Sequence, residues 1–581
     1  MNSNHATPSP AKHPKAVVIG LDAATWTLIR PWMAEGRLPV LSKLMSGGVS
    51  GPLQSVLPPI TPPAWTSFMT GKNPGKHGIF NFVQNRNKSA YSMNYVNGGS
   101  RRSATLFQLL NEAGFTAGTV NIPFTYPPEP LDGFQVSGLD TPDEKSPFVH
   151  PLPLHQELLA HLGEISHDIR FLGYMSTKER KLRVLSEMKK LDEQWTKAAL
   201  YLLDNHPQDL MMFVFMSIDT VQHYFWQYMD REHFLYDNNA DPDLRNAVRD
   251  VYERLDAATG RIIEKLPNET TVFVVSDHGG GPVADRIIYL NRYLAQLGLL
   301  HYVPKVSSPI HTAATKVIRS AFSLLRSSLT SRQKSFFAKL FPKLRKKAEL
   351  SYTSFNIIDW SKTKAYCSEV LAAPPSIRIN LKGVKRAGIV EESEYEELLA
   401  FIIKKLEELK DPRTGKPLIS RVYRREEIYE GPFAEEGADL TLDWWSEDSL
   451  FSTEPSFPED SDKPPVAICD HRPSDKSEWG GTHRLHGIVV ARGPALKSGV
   501  EIANARLIDL APTILHLFGV SVPEDMDGKV LAEMFRPEFL AAHSVQTGAA
   551  SGETWRDPSS GYSEEESSKV EERLQALGYL E

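Results

Sequence analysis

Cysteine is nearly absent from this chain of 581 residues: only Cys367 and Cys469 occur, which excludes a disulfide framework and a cysteine-built zinc or iron–sulfur site. Any metal therefore sits on histidine and carboxylate. No run of about 18 apolar residues occurs. The opening MNSNHATPSPAKHPK is polar, with no apolar stretch before Lys15. Membrane spanning and secretion thus lack a signal, and the cytoplasm is the expected location. Excess positive charge is also missing. With 65 Lys and Arg against 72 Asp and Glu the formal charge is -7, so specific nucleic-acid binding by the chain as a whole is not expected. What is present is an average globular composition, 41% hydrophobic and 24% charged, which requires a folded core. The length fits about three or four domains, or one large core carrying insertions.

Short apolar runs alternate with helix-like stretches, the pattern of βα units around a mainly parallel sheet. Strands are expected at Lys15–Leu21, Leu210–Ile218, Thr270–Ser276 and Gly487–Ala491. Their nearly continuous apolar character suits strands covered on both faces. A short helix is expected over Pro39–Met45, stopped by Gly47 and Gly48.

The fold class read from this pattern is α/β, with a tail at 1–14 and a core over 15–300 and 481–545. Two stretches between the core parts differ. Residues 301–350 hold eleven Lys or Arg against Glu349 alone, about +10 on a chain whose remainder carries about -17. Apolar residues such as Ile318, Phe322, Leu325, Phe336, Phe337, Leu340 and Leu344 recur there at helical spacing, giving a basic helical insertion. A solvated face, contact with an anionic substrate and contact with a membrane surface are the alternatives. Residues 351–480 read as a smaller α+β insertion or cap, with strands at Ile377–Leu381 and Asp439–Asp443, a helix near Glu391–Leu409 and a loop over 452–465. The tail, 546–581, is a linker and a helix that docks on the core, with Ser563 and Glu566 as a capping box and Val570, Leu574 and Leu577 as its apolar stripe.

Three of the expected strands run into aspartate: Asp22, Asp219 and Asp277. In an open parallel sheet the strand C-termini share one edge, so residues some 200 positions apart can converge there. Each Asp alone reads as a helix cap or turn former. Histidines strengthen the other reading. Asp219 and His223 are spaced to share one side of a helical turn, His278 follows Asp277 directly, and His483 lies in GGTHRLHG before the last strand. Gly279–Gly281 let the backbone bend around a site. Three carboxylates and three imidazoles suit two divalent ions, zinc above manganese. Two such ions commonly clamp the oxygens of phosphoryl transfer. Thr61, ahead of a Pro-Pro pair and a short helix at Ala64–Met69, is the candidate nucleophile.

These motifs resemble those of the alkaline phosphatase superfamily, in particular its type I phosphodiesterase/nucleotide pyrophosphatase branch and related bacterial phosphohydrolase/phosphomutase-like proteins. The segments that carry the resemblance are GLDAATW, ITPPAWTSFMTGKNPGKHGI, SIDTVQHYFW, SDHGGGP, GTHRLHGIVVARGP and the closing LIDLAPTILHLFGVSVPEDMDG. The resemblance implies an alkaline-phosphatase-like core. It also implies one ion on Asp219, His223 and His483 and a second on Asp22, Asp277, His278 and the Thr61 oxygen. Thr61 would form a phosphothreonine that water then hydrolyses. Nucleotide pyrophosphatases carry a phosphate-binding Asn downstream of the nucleophile. Three residues on, this chain has Ala64, leaving Lys76 or His77 as alternative anion contacts. The expected activity is hydrolysis of phosphodiester or phosphoanhydride bonds in a small anionic substrate. Phosphomonoesterase or phosphomutase chemistry is the alternative, and a catalytically weak metal protein that binds an anionic polymer or membrane surface is the other class.

Overall fold

The computed structural model describes residues 13–84, 94–167, 169, 177–303, 357–368, 374–447, 451–469, 479–552 and 561–576. Most of the basic segment 301–350 and Leu577 lie outside the described residues. No helix among those described is long and apolar enough to cross a membrane.

The elements that build the site run in chain order. β1 (Ala16–Leu21) leads to α1 (Pro39–Ser46), β2 (Val49–Gln54) and α2 (Thr61–Thr70). β3 (Ala117–Ile122), β4 (Gly133–Ser137) and α3 (Lys178–Asn205) follow. Next come β5 (Leu210–Phe215), α4 (Ser217–Met229), α5 (Pro242–Glu264), β6 (Thr271–Val275) and β7 (Gly279–Pro282). A smaller unit holds β8 (Ala365–Cys367), β9 (Ser376–Ile379), α6 (Glu392–Glu407), β10 (Val422–Arg424) and β11 (Leu440–Leu442). β12 (Gly481–Arg484), β13 (His486–Arg492), α7 (Leu510–Leu517) and α8 (Glu564–Ala576) complete the set.

The main sheet has ten strands, with β2, β13, β6, β1, β5, β3 and β4 adjacent in that order. β1 pairs in parallel with both β5 and β6, and β5 with β3. The apolar runs are continuous because both faces are covered. Val17, Ile19 and Leu21 enter one core beside α3, α4 and α5, while Ala16 and Val18 enter the opposite core beside α2 and α7. β5 divides in the same way: Met211, Phe213 and Phe215 face one side, Leu210, Met212 and Val214 the other.

Three details differ from, or add to, the sequence expectation. The strand expected to run to Ile218 stops at Phe215, where its pairing with Leu21 ends, and a helix starts at Ser217. Asp219 thus occupies the first turn of α4, where the free N–H groups of a helix start favour a carboxylate. The last strand, β13, is antiparallel to β2 and β6. Its N-terminal end therefore shares an edge with the C-terminal ends of the parallel strands, which delivers His483 to the edge that carries Asp22 and Asp277. Within 452–465, expected as loop, Ser452–Thr453 pairs with Ile287–Ile288.

The smaller unit carries a four-stranded sheet in the order β8-β9-β11-β10. Its core takes in Ile60, next to Thr61, and packs against Leu57 and Leu485. At the C-terminus, Ser563 and Glu566 bond reciprocally as a capping box. α8 buries Val570 and Leu574 against Ile79, Phe82, Phe124 and Leu139.

Candidate metal centre and active site

Asp22 follows β1, Asp277 and His278 follow β6, Asp219 and His223 lie one turn apart on α4, and His483 sits in β12 opposite Gly280 of β7. All six are at least 96% buried, as is Thr61, the first residue of α2. Two groups have ligand atoms close enough to share an ion: Asp219, His223 and His483, and Asp22, Asp219 and His278. Asp219 belongs to both, a bridging position. Asp277 brings Oδ2 to 3.3 Å from His278 Nε2, and Thr61 Oγ1 lies 3.4 Å from the same nitrogen.

The hydrogen-bond pattern fixes the chemistry of the cluster. His223 Nδ1 lies 2.9 Å from the Gly481 carbonyl, His483 Nδ1 2.9 Å from the Pro59 carbonyl and His278 Nδ1 3.1 Å from the Gly279 carbonyl. A carbonyl only accepts, so each Nδ1 carries the proton and each Nε2 presents a lone pair to the centre. His223 Nε2 and His483 Nε2 then face each other at 3.0 Å, with Asp219 Oδ1 at 3.1 and 3.3 Å from them. Asp22 Oδ1 and Asp277 Oδ2 are buried without a hydrogen-bond partner. Carboxylate oxygens and imidazole lone pairs brought this close repel unless a cation lies among them. These residues fit divalent metal ions, with main-chain carbonyls orienting the imidazoles from behind.

Electrostatics point the same way. Burial, then the charges of Asp277 and Asp219, hold the Asp22 carboxyl well above its usual range, and burial with Asp219 does the same to Asp277. Burial lowers His278 and His483. For Asp219 burial pulls upward, but His223 and His483 outweigh it and hold the carboxyl well below the usual range. Burial thus disfavours charge on Asp22, Asp277, His278 and His483 alike, and Asp219 is the carboxylate whose neighbours hold it ionised.

Several supporting residues carry no signal in the sequence. Trp65 Nε1 donates to Asp22 Oδ2 at 2.7 Å. It reaches there because Gly20 has no side chain: a Cβ on Gly20 would stand 2.7 Å from the Trp65 ring. Gln222 donates to the Ala23 carbonyl at 2.8 Å, and Trp479 stacks on His223 with ring centroids 3.9 Å apart. The glycines 279–281 form strand β7 rather than a bend. They are needed for close approach, since a Cβ on Gly280 would meet Gln222 Oε1 at 2.5 Å. Lys76 pairs with Asp527 at 2.6 Å, and His77 bonds Ser67 at 2.8 Å. Both are engaged in fastening the segment after α2.

The fold is shared with phosphonoacetate hydrolase from Sinorhizobium meliloti 1021, with a TM-score of 0.50 at 14% identity over 88% of this chain and 97% of that one. Murine ectonucleotide pyrophosphatase / phosphodiesterase 5 aligns with a TM-score of 0.45 at 13% identity, over 87% and 95%. A 74-residue stretch is 39% identical to the 2,3-bisphosphoglycerate-independent phosphoglycerate mutase of Roseobacter denitrificans, covering 11% of this chain. The chain thus spans 14% of the length of that curated relative. The family model for type I phosphodiesterase / nucleotide pyrophosphatase matches residues 16–455, and the chain belongs to that family.

Proposed function

We propose that the protein is a metal-dependent hydrolase that cleaves phosphodiester or phosphoanhydride bonds, with Thr61 as nucleophile and two divalent ions. The observation that carries this reading is the buried cluster of three imidazoles and three aspartates beside the Thr61 hydroxyl, with Asp219 shared between two potential ion sites. Asp219, His223 and His483 would hold one ion, and Asp22, Asp277 and His278 with the Thr61 oxygen the other. Asp219 is close enough to serve both. Imidazole and carboxylate donors in equal number favour zinc, with manganese next. Bound ions would lower the pKa of the Thr61 hydroxyl and offset the charge of the phosphoryl oxygens.

The residues themselves position and protect. As the first residue of α2, Thr61 is held between the Pro59 carbonyl that orients His483 and the Trp65 indole that anchors Asp22. Its Oγ1 gives up a proton to water and forms the bond to phosphorus as the leaving oxygen departs with the electron pair. Water then opens the phosphothreonine and restores the hydroxyl. Burial of the cluster keeps competing water out and strengthens every charge interaction within it.

Thr61→Ala tests the reading, because it keeps the backbone and removes the one oxygen that attacks. Hydrolysis of 4-nitrophenyl phosphodiesters should fall by about a thousandfold or more while metal content stays near wild type. Near-normal turnover would place the nucleophile elsewhere. Phosphomonoesterase or phosphomutase chemistry is the second reading, favoured by the short match to phosphoglycerate mutases. The same assay with 4-nitrophenyl phosphate separates the monoesterase part of it.

A further inference from the structure

One tryptophan from the smaller unit stands beside the cluster with an unused donor. Trp444 follows β11, is 9% exposed, and places its ring centroid 6.1 Å from that of His483. Its indole Nε1 is buried and has no hydrogen-bond partner. The backbone on either side of it is turned around Asp443, which accepts from the Trp445 and Ser446 N–H groups at 3.3 and 3.1 Å and from the Ser420 hydroxyl at 3.0 Å. A buried N–H without an acceptor is unfavourable, and beside the cluster this one is available to a bound group.

The position of Thr61 says which part of a substrate Trp444 meets. Thr61 Oγ1 touches the cluster at His278, the group that also holds Asp22. In an in-line displacement the leaving oxygen departs away from the nucleophile; on the division of ligands proposed above, that side is the group of His223 and His483, and the Trp444 ring lies 6.1 Å from that of His483. We propose that Trp444 is the leaving-group contact of this enzyme: its indole N–H donates to the departing oxygen, so the site accepts esters of weakly acidic alcohols and phenols. The inference rests on the phosphoester-hydrolase reading above. As the bond from Thr61 Oγ1 to phosphorus forms and the bond from phosphorus to the leaving oxygen breaks, that oxygen keeps the electron pair and gains negative charge. The indole stabilises the charge without giving up its proton, and the alkoxide or phenoxide is protonated by water afterwards.

Substrates that differ only in the leaving group isolate the effect. The metal-loaded full chain is assayed on methyl phenyl phosphate and methyl 4-nitrophenyl phosphate, with phenyl phosphate and 4-nitrophenyl phosphate as the monoester pair. Trp444→Phe removes the N–H and keeps a ring. It should lower kcat/KM for the phenyl ester by about 10- to 100-fold, the range of losing one hydrogen bond to a charged group, and for the 4-nitrophenyl ester by about threefold or less, because 4-nitrophenoxide needs little help. Trp444→His, which retains a ring N–H, should recover part of the loss on the phenyl ester and serves as second variant if the Phe form is unstable. Trp445→Phe is the control: its ring is 1% exposed, stacks on Tyr423, and also has an unpartnered Nε1, so it should change stability but leave the ratio between the two esters alone. Equal losses on both esters in Trp444→Phe, or no recovery in Trp444→His, would overturn the assignment while leaving the hydrolase reading intact. A wild-type protein that cleaves none of the four esters overturns the reading itself and this inference with it.

Discussion

Replacing Trp65 with Phe should weaken one of the two ions and spare the other. Trp65 and Asp22 are both fully buried, and the 2.7 Å indole bond is the partner of Asp22 Oδ2, while Oδ1 has none. The bond opposes the burial and the neighbouring aspartates that raise the Asp22 pKa, so its loss moves that carboxyl further towards the protonated form, which cannot ligate. A hydrogen bond to a charged group contributes about 1.5–3 kcal/mol. At about 1.4 kcal/mol per factor of ten this is roughly a 10- to 100-fold loss of affinity, the range typical of partners behind a metal ligand. Competition titration with a chromogenic chelator should show two equivalents in the wild type and one weakened equivalent in Trp65→Phe, while the ion on His223 and His483 keeps its affinity. Gly20→Ala should act in the same direction without touching a polar atom, since the new Cβ would press on the indole at 2.7 Å and on Val214 at 2.9 Å. Unchanged binding in both variants, or equal weakening of both ions, would refute the idea that β1 sets the second ion through Trp65.

Protein purified without chelators should carry about two zinc or manganese equivalents per chain, and chelation should abolish activity and lower the melting temperature; full activity in metal-free protein would sink the metal reading. His483→Ala should reduce occupancy of the ion shared with His223 more than that of its neighbour, and equal retention of both would reject the division of ligands. Asp140 gives a pH test away from the metals. Burial raises its carboxyl from 3.8 to about 6, although it accepts N–H bonds from Thr125 and Tyr126. The folded state therefore holds its proton where the unfolded state has lost it, so this group's contribution to stability falls as pH rises from about 4 to about 6, by about 3 kcal/mol in all. Urea denaturation of Asp140→Asn, which cannot titrate there, should lack that part of the slope; parallel curves for the two proteins would contradict it.

The sheet was legible in the sequence because strands buried on both faces leave continuous apolar runs, and the candidate site residues were sought at the ends of those runs, where an open parallel sheet gathers its loops. Asp22 and Asp277 sit at those ends, and the one-turn spacing of Asp219 and His223 places both on one side of a helix whichever residue starts it. Pairing direction was not legible. Nothing in GIVVA states that β13 runs antiparallel, yet that reversal alone carries His483 to the shared edge. The role of the glycines was likewise tertiary: GGG is compatible with a bend or a strand, and the approach of Gln222 and the pairing of Gly280 with His483 decide for the strand. Trp65 and Trp444 read as ordinary apolar residues, because an indole's donor acquires meaning only from what lies opposite it. By itself the sequence determined which side chains are of the types that can ligate a metal or act as a hydroxyl nucleophile, a property of side-chain type and local spacing. Only the tertiary structure decided that the three imidazoles gather around buried carboxylates and that Asp219 lies within reach of both groups. Those are distances between strands and helices hundreds of residues apart, set by packing across the sheet.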